Sequence, residues 1–132
     1  MRPALFAAFL TVACLMTGIS ASLAFETRKY DEAAFKAAQT SGAPILVHVT
    51  APWCPTCKAQ HQALDSLSAK HDYDKLTVFD VDFDTQQTVM KGFKANSQST
   101  LIAFKGATEV ARLVGATKAD AIEGLISSTM KP

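Results

Sequence analysis

Two thiols, Cys54 and Cys57, stand one helical turn apart in Pro52-Trp53-Cys54-Pro55-Thr56-Cys57, directly after the apolar run Ile45 to Val49. That spacing suits the making and breaking of one disulfide. A cysteine at the start of a helix meets unpaired backbone N–H groups and the positive end of the helix dipole, which stabilise its thiolate. The thiolate, not the thiol, is the nucleophile in exchange at sulfur. Pro55 falls in the first turn, where no N–H donor is needed and the fixed φ prepares the helix. A pair three positions apart closes too small a loop to add much stability, so a reactive role is favoured over a structural one.

The elements that position the pair follow from local signals. Asp31 is an N-cap for a helix through Glu32-Ala33-Ala34-Phe35-Lys36-Ala37-Ala38, and Gly42 lies where that helix stops. Pro44 then precedes Ile45-Leu46-Val47-His48-Val49-Thr50, a β-branched run of the kind buried on both faces of a sheet. A second helix starts at the cysteines and runs through Leu64 and Leu67 toward Lys70. Leu76 to Asp82 reads as a strand, Thr85 to Lys91 as a short helix and Thr100 to Phe104 as a third strand. A turn at Lys105-Gly106-Ala107-Thr108 leads to Glu109–Val114, completing a hairpin. Thr117 is the expected cap of a last helix with Ala121, Ile122, Leu125 and Ile126 on its apolar face. The order α, β, α, β, α, β, β, α calls for a central mixed sheet with helices on both faces, an α/β fold. Chemistry in such sheets gathers beyond the carboxyl ends of the strands, where the cysteines fall.

The chain has 132 residues and a formal net charge of +1. Arg2, the uncharged apolar stretch from Ala4 to Ile19 and the small residues at Ser22-Leu23-Ala24 have the layout of a secretory signal peptide. Residues 1–24 are therefore expected to be cleaved, with an uncleaved amino-terminal anchor as the alternative, and 25–132 to form one domain. Cys14 lies within that leader and is taken as a spectator, leaving Cys54 and Cys57 to the domain. Basic residues are scattered, so nothing points to nucleic acid or an anionic membrane surface.

With Ile45-Leu46-Val47, Ala51, Trp53-Cys54, Cys57-Lys58, Phe104-Lys105-Gly106 and Val114-Gly115-Ala116 in this element order, the chain resembles the thioredoxin family. The resemblance covers nearly all of 25–132 and implies the thioredoxin fold and thiol-disulfide exchange. It implies that Cys54 is an exposed attacking thiol and Cys57 a more buried resolving one. It further implies a surface for substrate around Trp53, Pro55, Thr56, Gln98, Ser99 and Thr100. Protein disulfides or dithiols are the expected partners, with a membrane electron donor or acceptor for recycling, no organic cofactor and a monomeric state. A periplasm or another oxidising space is the expected location, and the reductive direction is favoured.

Three departures from the family pattern matter. His48 stands where thioredoxins carry a buried acid that helps deprotonate the second cysteine, and Asp80 where they carry a lysine, so the pair is expected to form with its charges exchanged. A histidine can take the acid's task, since its unperturbed pKa of about 6.5 lies near neutrality. Ser99 replaces the usual cis-proline before Thr100. The Gln98-Ser99 bond is expected to be trans, because a cis bond before a non-proline costs about 2.5–4 kcal/mol, and the hydroxyl is placed to meet a cysteine sulfur. His61 shares a helix face with Cys57. With Cys54, Cys57 and His48 it would make a two-Cys, two-His set for Zn or Cu, the rival reading of the chain as a metal-binding module. A third reading is an adaptor that docks partners without turnover. His71 reads as a surface residue. The alternation Asp80, Asp82 and Asp84 lacks the Gly and Glu of an EF-hand loop, so Asp82 and Asp84 are expected to face solvent.

Overall fold

A computed structural model describes residues 24–132; most of the expected signal segment, with Cys14, lies outside them. The chain runs β1 (Glu26–Lys29), α1 (Glu32–Thr40), β2 (Pro44–Thr50), α2 (Pro55–Ser68), β3 (Thr77–Asp82), α3 (Gln87–Gly92), β4 (Thr100–Lys105), β5 (Thr108–Val114) and α4 (Ala119–Ser128). The five strands form one sheet in the order β1-β3-β2-β4-β5. β1 and β2 pair parallel with β3, whereas β4 pairs antiparallel with both β2 and β5.

β2 is the central strand, and its alternating side chains seed two cores. Leu46 faces α2 and α4, packing with Leu64, Leu67, Ile122 and Ile126. Ile45, Val47 and Val49 face the other side, where Phe35 of α1 and Met90 of α3 cover them. His48 has the parity of Leu46, so the strand's period of two directs it under α2. That places an imidazole with no solvent exposure beneath the helix that carries the cysteines.

Several boundaries differ from the sequence reading. β1 was not expected: its residues Glu26-Thr27-Arg28-Lys29 are all exposed and carry no apolar alternation. Backbone pairing to the open edge of β3, in register Glu26 to Thr77, makes them a strand. α3 begins at Gln87 rather than Thr85, because Asp82 Oδ1 accepts from the Asp84 and Thr85 amides and holds them in a turn. Lys118, not Thr117, is the N-cap of α4, and Ala121 is exposed rather than on its buried face. Asp31 does cap α1, accepting from the Ala34 amide at 2.8 Å. Gly106 has φ +56°, and a Cβ there would meet Gln39 O at 3.2 Å and Gly42 Cα at 3.3 Å, so the hairpin turn and the end of α1 need a glycine.

Candidate active site

The chain leaves the carboxyl end of β2, turns at Ala51–Trp53 and enters α2 with Cys54 as its N-cap. Cys54 N–H donates to Ala51 O at 3.2 Å, which fixes the turn, and Cys57 N–H donates to Cys54 Sγ at 3.1 Å. The sulfur thus occupies the cap position that an Asp or Ser oxygen usually fills, where the first-turn amides favour negative charge. Pro55 follows as the first helical residue. Cys54 and Cys57 are joined in a disulfide with their Cα atoms 5.3 Å apart.

Ser99 covers both sulfurs. Its hydroxyl lies 3.2 Å from Cys54 Sγ and 3.3 Å from Cys57 Sγ. The residue is in the left-handed region at φ +62°, and none of the described peptide bonds is cis. Its backbone is held from both sides: Ser99 N–H donates to Val49 O at 2.8 Å, and its carbonyl accepts from Gly115 N at 2.9 Å and Gln60 Nε2 at 3.0 Å. A proline could not make the first of these bonds. Disulfide formation and this cover leave Cys54 3 % exposed and Cys57 1 %, so the expected contrast between an open and a buried sulfur is absent from the oxidised state.

Below the disulfide lies a polar group in an otherwise apolar interior. His48 Nδ1 is 3.2 Å from Asp80 Oδ1, and His48 and Asp80 are register partners in the β2–β3 pairing. His48 Nε2 is 2.9 Å from Gln60 Oε1. Gln60 is itself fully buried, and its amide nitrogen donates to Ser99 O and to Ala116 O at 2.9 Å. Gln60 therefore ties the histidine, the Ser99 loop and the segment after β5 together, a role the sequence reading missed. The available signal was its place three residues after Cys57, on the helix face that also carries Leu64 and Leu67.

His61 joins this group from α2. Its ring centre is 4.6 Å from that of His48, and its Nε2 is 3.3 Å from Thr50 Oγ1 and 4.0 Å from Asp80 Oδ2. Partial burial lowers the His61 pKa below its ordinary 6.5, and the neighbouring His48 adds to the effect against the opposing pull of Asp80. The two-Cys, two-His set does not assemble: the sulfurs are bonded to each other, and the cluster found among the described residues is His48, His61 and Asp80. A cavity of about 610 Å³ opens beside it, lined among others by Tyr30, Ala51, Cys54, Lys58, His61 and Asp80.

The outer surface carries the remaining expected residues. Trp53 is 57 % exposed, its ring edge-on to Phe83 and its Nε1 donating to Asp84 Oδ2 at 2.9 Å. Asp84, expected only to face solvent, thus sets the indole orientation. Pro55 is exposed, and Thr56 and Gln98 are half-buried. Thr100 is 2 % exposed and turns its hydroxyl inward to donate to Ser97 O at 2.8 Å.

A mixed sheet whose central strand delivers a C-x-x-C disulfide to a helix N-terminus, beside an exposed tryptophan, defines the thioredoxin-fold class. Residues 26–128 match the family model described as Thioredoxin, and the chain belongs to the thioredoxin family, a family of protein thiol-disulfide oxidoreductases. It is 37 % identical over 94 residues to the chloroplastic thioredoxin X of Arabidopsis thaliana, covering 67 % of this chain and 51 % of that protein. It is 38 % identical over 77 residues to a thioredoxin of Mycobacterium tuberculosis (strain ATCC 25618 / H37Rv), covering 58 % of this chain and 66 % of that protein. The chain therefore spans about half to two thirds of the length of these relatives. Among solved structures, Trxlp from Edwardsiella tarda EIB202 superposes with a TM-score of 0.73 at 44 % identity, over 76 % of this chain and 98 % of that one.

Proposed function

We propose that this protein is an exported thiol-disulfide oxidoreductase that reduces protein disulfides through Cys54 and Cys57. The observation that carries the reading is the Cys54–Cys57 disulfide at the N-terminus of α2, with the Cys54 sulfur in the cap position. In the reduced protein, the Cys54 thiolate attacks one sulfur of a substrate disulfide. A mixed disulfide forms and the other substrate sulfur leaves as a thiolate. Cys57 gives up its proton and attacks Cys54 Sγ, which regenerates the internal disulfide and releases the second substrate sulfur. Two electrons pass to the substrate, and each departing sulfur takes up a proton.

His48 and Asp80 serve the second step as acceptors of the Cys57 proton. A proton at His48 Nδ1 lies against the Asp80 carboxylate and makes the pair an imidazolium–carboxylate, which offsets the cost of charge in the interior. Substrate docks on the face formed by Trp53, Pro55, Thr56, Gln98 and the Ser99 loop. The leader-like layout of residues 1–24 supports export to an oxidising compartment, where a membrane electron donor recycles the disulfide.

Insulin reduction by the dithiothreitol-recycled protein tests the activity. Turnover that Cys54→Ser abolishes is expected, together with a trapped mixed disulfide when Cys57→Ser is mixed with substrate. Equilibration with glutathione buffers tests direction: a potential nearer that of thioredoxin, about −270 mV, than that of its oxidising periplasmic relative, about −120 mV, supports a reductase, and the converse refutes it. Fractionation of cells expressing the full chain, with the mass of the recovered protein, tests export and cleavage after Ala24.

A further inference from the structure

The amide of Gln60 fixes which nitrogen of His48 carries hydrogen. Gln60 Nε2 faces two carbonyl oxygens, Ser99 O and Ala116 O, so Gln60 Oε1 must be the atom turned toward His48. His48 Nε2 is then the donor, and in the neutral ring Nδ1 holds a bare lone pair. That lone pair faces a carboxylate oxygen 3.2 Å away. Both atoms are buried, and neither has a hydrogen-bond partner: the pair is close enough for a hydrogen bond but not aligned for one. Two acceptors in contact call for a positive charge; a metal ion, which need not lie on the line joining them, supplies it when no proton is on Nδ1.

We propose that His48 Nδ1, His61 Nε2 and the Asp80 carboxylate form a binding site for one divalent cation of the Zn²⁺ type, with its remaining position open to the cavity beside Cys54. Bonds of about 2.0–2.1 Å to nitrogen and oxygen at tetrahedral angles separate neighbouring ligand atoms by about 3.3 Å. The His48–Asp80 separation of 3.2 Å already matches that edge. His61 Nε2, at 4.0 Å from Asp80 Oδ2, needs only a small rotation of a partly exposed side chain, which would exchange its contact with Thr50 Oγ1 for the metal. The three ligand atoms lie within 4.8 Å of one another. Two imidazoles with one carboxylate select borderline cations such as Zn²⁺ over Ca²⁺ or Mg²⁺, which prefer oxygen. The bond from His48 Nε2–H to an amide carbonyl oxygen is the outer contact that orients metal-binding histidines, and here Gln60 supplies it.

This site uses neither sulfur and does not rest on exchange activity, so it is tested on the oxidised full chain carrying Cys14→Ser, where Cys54 and Cys57 are closed to metal. Zn²⁺ titration by calorimetry is expected to show one saturable equivalent. Co²⁺ is expected to give visible d–d absorption without a thiolate charge-transfer band. His61→Ala and Asp80→Asn, both at partly exposed side chains, are each expected to weaken Zn²⁺ by at least about 10–100-fold, the loss typical even of an outer contact. His71→Ala should leave the affinity unchanged. No saturable binding to the oxidised protein, binding that survives both His61→Ala and Asp80→Asn, or binding that appears only after reduction would overturn the site.

Discussion

Ser99 offers the sharpest separation of chemistry from packing at this site. Its hydroxyl is shared between two sulfurs in the oxidised state, at 3.2 and 3.3 Å. On reduction the Cys54 thiolate becomes the stronger acceptor, and the Ser99 hydroxyl that covers it donates to it. A hydrogen bond to a charged group contributes about 1.5–3 kcal/mol, and sulfur, a weak acceptor, belongs at the low end. At about 1.36 kcal/mol per pKa unit, Ser99→Ala should raise the Cys54 pKa by about one unit. Ser99→Gly removes the same hydroxyl but also relieves the left-handed backbone at φ +62°, which costs an L-residue about 1–2 kcal/mol. Set against the extra chain entropy of glycine, about 0.5–1 kcal/mol, the Gly variant should be more stable than the Ala variant by up to about 1.5 kcal/mol. Thiolate absorbance and alkylation rate against pH on the reduced proteins measure the pKa, and urea unfolding measures stability. The expected pattern is one shared pKa shift with two different stabilities. An unchanged Cys54 pKa in Ser99→Ala, or Ala and Gly variants that differ from each other in pKa as much as from the parent, would refute the reasoning.

Other outcomes follow from separate contacts. His48→Ala should slow resolution by Cys57 by about 10²-fold, the lower end for a positioned proton acceptor, while leaving attack by Cys54 much less affected; single-turnover kinetics in which both steps slow equally would contradict the assignment. Phe35→Ala should cost about 3–5 kcal/mol in urea unfolding, because that ring lies 5.2–5.6 Å from the rings of Tyr30, Phe79, Phe93 and Phe104, yet leave the Cys54 pKa in place. Asp82 accepts from the Thr85 and Asp84 amides, and the Thr85 contacts lead in holding its pKa below the ordinary 3.8. Its contribution to stability is complete above that unfolded value and is lost as pH falls through the lower folded value, so Asp82→Ala should flatten the acid limb of the stability curve there and nowhere else.

The chain's local signals determined a great deal. A proline inside the first turn, two cysteines one turn apart and an apolar run before them specify a helix start after a buried strand, and the structure has β2 and α2 there. The exchange of His48 and Asp80 for the family's acid and lysine was legible because strand register makes partners of residues far apart in sequence, and these two prove to be in register. The Asp31 cap and the Gly106 turn were legible because each depends on a few adjacent residues, whereas the α4 cap expected at Thr117 falls on Lys118.

Only the tertiary structure decided the rest, because it depends on groups that meet across the fold. β1 exists through backbone bonds to the edge of β3, which no side-chain pattern announces. The left-handed Ser99 is held by Val49, Gly115 and Gln60, from three different elements or their flanks. Gln60 looked like an ordinary helical residue until burial forced every one of its polar atoms to find a partner, and in doing so it set the tautomer of His48. The cysteines by themselves specify a redox pair. The hydroxyl above them and the histidine–carboxylate cluster below them, both products of long-range packing, determine the environment in which that pair works.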